Sequence, residues 1–249
     1  MSEPITSLPA RQQAGILTSR YAACMRGDWA TVALLVGQAP FIGWLCTVVW
    51  GSIETDTPSL YFVMCLSAVW FGCISACREV VKERAILERE RFFGLSLPAY
   101  IASKLAVLAG IGLVQVVLLQ GAVEWELALK GPYLLQTLAL WGASMCGVGL
   151  GLVVSGLSKA QERAVGAVPL LLLPQILFSE FAIPVDQFGD AMALVEKFMP
   201  VRWAFQVFKE GAALEPDWLA VAMNLCVLAV YTLGLAALAN LTLIPRRDM

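Results

Sequence analysis

Six stretches of this chain run for 16 residues or more without a charged side chain: 29–53, 57–77, 105–123, 131–158, 164–179 and 218–245. A helix rises about 1.5 Å per residue, so roughly 20 apolar residues cross the hydrocarbon core of a bilayer. Five of the stretches reach that length outright. The fifth in order, 164–179, does so only if its helix passes Glu180 and continues towards Pro184. In lipid the backbone must satisfy its own hydrogen bonds, which leaves helices as the form such runs take. A mean hydropathy of +0.75 and 14% charged residues, against about 25% in soluble domains, point the same way. The expected fold is an all-α integral membrane chain of six transmembrane helices over 29–249, preceded by a separate segment, 1–28.

Lysine and arginine set the expected orientation. With a cytoplasmic N-terminus, the inner segments hold Arg11, Arg20, Arg26, Arg78, Lys82, Arg84, Arg89, Arg91, Lys104, Lys159, Arg163, Arg246 and Arg247. The outer segments hold only Lys130, Lys197, Arg202 and Lys209. Both termini are therefore expected inside, in a multi-pass protein of the plasma (inner) membrane.

Between the second and third spans stands the densest charge in the chain: seven of the ten residues from Lys82 to Arg91 are charged. Burying them in lipid at about 3 kcal/mol each would cost roughly 20 kcal/mol. The stretch must lie in water or against protein, as a solvated loop or as a docking helix. Gly94 and Pro98 are expected to stop that helix, and Tyr100 to restart the chain into the third span. Segment 1–28 pairs apolar Ile5, Leu8, Ile16 and Leu17 with Arg11, Arg20 and Arg26, as a helix lying on the inner leaflet would.

Several chemistries lack their residues. There is no histidine, so no imidazole metal site or His-based triad. Cys73 and Cys77 share a helix face but have no third ligand nearby, and read as small core residues; no disulfide and no metal site are expected. A net charge of −2 argues against nucleic acid as a partner. No G-x-x-x-x-G-K-[ST] string occurs, so no ATP-binding loop and no enzyme activity are expected of this chain. Gly147 and Gly151, inside the fourth span, instead suit close approach of two helices. Gln38, Gln115, Gln136, Asn224 and Asn240 lie within spans and call for interhelical bonds. From Glu180 outward the segment 181–217 is long and apolar. Phe188, Met192, Val195 and Met199 recur there at helical spacing, as in a re-entrant outer segment between the fifth and sixth helices.

Two strings carry a resemblance. "ERAILERERFFGLSLPAYIASK" (83–104) resembles the first cytoplasmic loop of ABC-2 type permeases, notably the G subfamily of ABC transporters, through Glu83, Glu90, Gly94, Tyr100 and Lys104. "LLLPQILFSEFAIP" and "FMPVRWAFQVFKEGA" resemble that family's fifth helix, outer loop and Pro-Arg-aromatic signature, through Pro200, Arg202, Trp203 and Phe205. The chain departs from the pattern at Glu180, where a glycine is usual, at Phe181–Ala182, where bulky leucines are usual, and by the extra Val201.

The resemblance implies an ATP-driven permease subunit, an exporter by analogy. It would work with an ATP-binding cassette subunit that holds ATP and Mg²⁺, and with a second permease copy, a homodimer being favoured. This chain itself would bind no cofactor. The charged helix would be the coupling helix, with Glu83, Arg84, Glu88, Arg89, Glu90, Arg91 and Gly94 meeting the ATPase and Lys159 and Glu162 giving a second contact. The segment 1–28 would be the connecting helix. Phe71, Leu172, Gln175, Ile176 and Ser179 would line a substrate cavity, and Glu180, Phe181 and Arg202 an outer gate. The aromatic and aliphatic lining tilts the cargo towards an amphipathic or lipid-like compound. The rival readings are a membrane scaffold or sensor docking a non-ATPase protein, and a secondary transporter. The latter predicts intramembrane carboxylates or inverted repeats, which the sequence does not show.

Overall fold

A computed structural model describes residues 8–53, 58–179, 189 and 194–244. Ile5, Glu180, Phe181, Phe188, Met192, Arg246 and Arg247 lie outside these. The described residues form helices α1 (Ala10–Gly27), α2 (Trp29–Trp50), α3 (Pro58–Ala76), α4 (Arg84–Phe92), α5 (Leu97–Glu124), α6 (Tyr133–Leu157), α7 (Gln161–Leu177), α8 (Pro200–Gly211) and α9 (Trp218–Thr242). A 3₁₀ turn, Val81–Glu83, leads into α4. Among the described residues there is no strand.

Among the described residues five helices are long and apolar enough to cross a membrane: α2, α3 with its extension towards α4, α5, α6 and α9. The sixth expected crossing falls on α7, which has 17 residues and holds Pro169 and Pro174 in its interior. Each proline removes one i→i−4 bond and pushes against the preceding turn. At about 1.5 Å per residue α7 spans roughly 25 Å, short of a full crossing by itself.

α3 and α6 form the centre, while α2 and α9 are mostly exposed and apolar, as befits helices facing lipid. The central pair packs backbone against backbone. A side chain at Gly72 of α3 would strike the Ser144 carbonyl, and one at Gly147 of α6 would strike the Val69 carbonyl. At Gly151 it would come within 2.7 Å of the Cys73 carbonyl oxygen. The close approach expected of Gly147 and Gly151 is therefore present, with Gly72 answering from the other helix. Cys73 and Cys77 are both buried beside this seam.

The polar residues inside spans behave unequally. Gln115 of α5 donates to the Leu35 carbonyl of α2 at 2.8 Å. Gln120 donates to Gln136 at 3.0 Å and its own carbonyl accepts from Thr137 at 2.8 Å, tying α5 to α6. Asn240 bonds within its own helix, to Ala236. Asp28 and Asp217 cap α2 and α9, accepting from Thr31 N and from Leu219 and Ala220 N.

α1 is a helix as expected, but its packed face differs. Leu17, Tyr21 and Met25, at four-residue spacing, are buried, while Leu8 and Ile16 are exposed. α1 lies against α5, so its apolar stripe serves the protein core as well as any surface. Pro98 also differs from expectation. It does not end α4 but sits in the first turn of α5, where its missing N–H costs nothing. Gly94, at φ 88°, makes the turn between them.

Candidate functional site

The charged stretch becomes a helix with two unlike faces. Its inner face is tied down at many points. Glu83 Oε2 lies 2.8 Å from Lys104 Nζ and accepts from the Tyr100 hydroxyl at 3.1 Å. The same ammonium stands 3.5 Å from Glu79, which also pairs with Lys82. Lys104, on the membrane-spanning α5, is only 2% exposed, so these carboxylates are what make its burial tolerable. Tyr21 of α1 places its ring 3.7 Å beneath that ammonium, a cation–π contact out of water. Burial, and then the neighbouring Glu79 carboxylate, hold the Tyr21 phenol well above its ordinary range, so it stays protonated.

Further ties run along α4. Arg20 of α1 meets Glu90 through two bonds, 2.6 and 3.2 Å, which raises the guanidinium further still. Arg84 donates to the Gly156 carbonyl at the end of α6, and Arg91 to the Leu243 carbonyl just past α9, at 2.8 Å. Ser155 accepts from Val80 N and Val81 N at 2.9 and 3.0 Å. Gln13 of α1 donates to the Gly94 carbonyl and accepts from Ser96 N at 2.8 Å. α4 is thus held by α1, α5, α6 and the end of α9. The Arg20–Glu90 bridge has side chains 45% and 26% exposed. A double-mutant cycle with Arg20→Ala and Glu90→Ala, read as detergent melting, is expected to give a coupling of no more than about 1 kcal/mol.

The outer face is free. Ala85, Ile86, Glu88, Arg89, Phe92 and Phe93 are exposed and follow helical spacing, with Phe92 at 91% and Phe93 at 70%. The expected coupling residues therefore divide. Glu83, Arg84, Glu90 and Arg91 hold α4 in place, and of those on α4 itself Glu88 and Arg89 face outward. Sequence reasoning missed Phe92 and Phe93, although "RFF" before a glycine was a visible apolar signal on a charged helix. It also missed Gln13, Glu79 and Ser155, whose partners lie far away in the chain. Lys159 and Glu162 are exposed at the α6–α7 turn.

At the opposite end of the bundle the residues expected in a cavity separate. Phe71 is fully buried in the core, so it reaches no open surface here. Leu172, Gln175 and Ser179 are buried on α7 and just after it, whereas Ile176 on the same helix is 40% exposed, so the four do not share one face. Gln175 and Ser179 do join Arg202: with Phe62, Phe205 and Met199 they line one tight depression. There Gln175 Oε1 accepts from Val201 N at 3.4 Å, and Arg202 pairs with Glu196 at 3.1 Å. α8 is anchored beside it by ring contacts of Phe205 with Phe62 and Phe208 with Tyr61.

This layout of apolar spans, a charged helix clamped at one end and an amphipathic helix at the other agrees with what sequence comparison finds. The profile of the ABC-2 type transporter family matches residues 12–211. The chain belongs to that family. As an ABC-2 type permease it is a membrane component of a transporter, and the matched region takes in α1, α4 and α8 as well as the spans between them. A relative is the ABC transporter ATP-binding/permease protein Rv1747 of Mycobacterium tuberculosis, 28% identical over 165 residues, or 62% of this chain. The chain spans only 19% of that relative's length.

Proposed function

We propose that this permease is the membrane half of an ATP-driven exporter, with the exposed face of α4 seated on an ATP-binding cassette protein. The observation that carries the proposal is the division of α4 into a clamped face and a free one. A helix that only had to stay solvated would not need Ile86, Phe92 and Phe93 in water. An interface, by contrast, wants apolar anchors surrounded by charges that set orientation, and Glu88 and Arg89 supply those. The α4 side is then cytoplasmic, in keeping with the lysine and arginine bias.

The clamped face gives a physical route for the stroke. When the ATPase closes and displaces α4, the ties to α1, α5, α6 and α9 move with it. The ion pairs resist stretching, and the well-packed α3–α6 seam makes the inner bundle move as one body. Opening at the far end would pass through the depression at Gln175, Ser179 and Arg202, and Glu180 and Phe181, which follow Ser179 in the chain, would act as the outer gate. ATP and Mg²⁺ belong to the partner. The apolar run that holds α7 would supply the sixth crossing, and a second copy of the chain the other wall of the pathway. An apolar bundle with few free charges favours an amphipathic or lipid-like cargo. Purification in mild detergent, with mass spectrometry of what accompanies the chain, tests the class. An ATP-binding protein in equal amount supports it. A clean dimer alone, reproduced in lipid discs, would favour a scaffold.

A further inference from the structure

Beside the docking face of α4 lies a different feature, a groove of about 930 Å³ between α4 and the last turns of α6 and α9. That volume is at the upper end of what small-ligand sites enclose. Its walls are apolar, with Leu87, Val153, Leu157, Leu238, Leu241 and Ile244 among them. Two of these helices span the membrane, so the walls sit at the depth where acyl chains begin. Among the described residues, the charged ones on the rim are Arg84, Arg91 and Glu88, a net charge of +1. Each guanidinium has five N–H donors, and a single carbonyl bond is what each makes here, to Gly156 and to Leu243. Neither forms an ion pair among the described residues. Helix C-termini carry the carbonyl-rich, negative end of the dipole, which accounts for one bond each and leaves the other donors of these half-buried guanidiniums without a partner among the described residues.

We propose that this groove holds one anionic phospholipid from the leaflet on the α4 side. Its phosphate is gripped by Arg84 and Arg91, and its upper acyl chain lies along Leu157, Leu238 and Leu241. The site is structural or regulatory rather than a path for cargo, because the lipid would lock α4 to the ends of α6 and α9. Basic pockets between transmembrane helices recognise anionic headgroups in this way, and arginine's planar fork suits a phosphate better than lysine would. The proposal rests on the groove and does not require that α4 dock an ATPase.

The test uses the purified full chain in mild detergent, titrated with phosphatidylglycerol or phosphatidylcholine, with bound lipid counted by native mass spectrometry. One phosphatidylglycerol per chain is expected, preferred about tenfold over phosphatidylcholine. Arg84→Gln with Arg91→Gln should bring the two lipids level, while Arg89→Gln, on the outward face of α4, should keep the preference. Leu157→Trp fills the groove and leaves both arginines bonded, so it should lose the phosphatidylglycerol even if the arginine pair proves necessary for folding. Equal retention of both lipids by the unaltered chain would overturn the proposal, as would an equal loss in Arg89→Gln. It would also fall if Leu157→Trp kept its lipid but split a dimer, since the groove would then belong to a second copy.

Discussion

Lys104→Met should be the most damaging single change at the α4 end, lowering stability by about 3–5 kcal/mol. The ammonium it removes is 2% exposed and stands between Glu83 and Glu79 at 2.8 and 3.5 Å. Glu79 keeps Lys82, but Glu83 is left with one hydroxyl, from Tyr100. A carboxylate stripped of its cation in a part-buried place must protonate or drag in water, and either costs more than the pair contributed. Against a total stability of about 5–15 kcal/mol, this should lower the melting point in detergent sharply. Adding Glu83→Gln to Lys104→Met should recover part of the loss, because the orphaned charge goes with it. A stability for Lys104→Met within about 1 kcal/mol of the parent would mean that the cluster is solvated.

Gly72→Leu should break the other rigid element, the α3–α6 seam. A side chain there meets the Ser144 carbonyl and the Val148 amide, both backbone, which cannot rotate away. The helices must separate along their length, and a large side chain in that gap should cost at least the 1–3 kcal/mol typical of overpacking. Gly147→Leu should do the same from α6. Gly110→Ala and Gly166→Ala supply the contrast: nothing lies within 4 Å of a side chain at either, so both should fold as well as the parent. Their comparison by yield and melting separates steric conflict from a general intolerance of change at glycine.

How much of this was legible beforehand depends on range. Uncharged runs mark α2, α3, α5, α6 and α9 because the membrane imposes its thickness on each segment separately. The short run at α7 reads as ambiguous for a physical reason: Pro169, Pro174 and Glu180 all cut into it. A charged helix was visible over 82–91 and forms over 84–92, and its stop at Gly94 was visible too. The side it presents was not, since alternating charge gives no direction until partners are known. Those partners, Arg20, Gln13, Lys104 and the ends of α6 and α9, come from far along the chain. Phe71 shows the same limit from the other side. The family resemblance suggested a cavity for it, but the packed structure puts its ring in the core.

The central claim, that the outward face of α4 grips an ATPase, is tested most directly by photo-crosslinking in cells. A photoreactive residue is placed in turn at Ile86, Phe92, Glu83 and Glu90, and each captured protein is identified. The account predicts that positions 86 and 92 capture an ATP-binding cassette protein while 83 and 90, turned inward, capture none. Capture of a protein without an ATP-binding fold at 86 and 92, or capture of the ATPase at 83 and 90 instead, would contradict it.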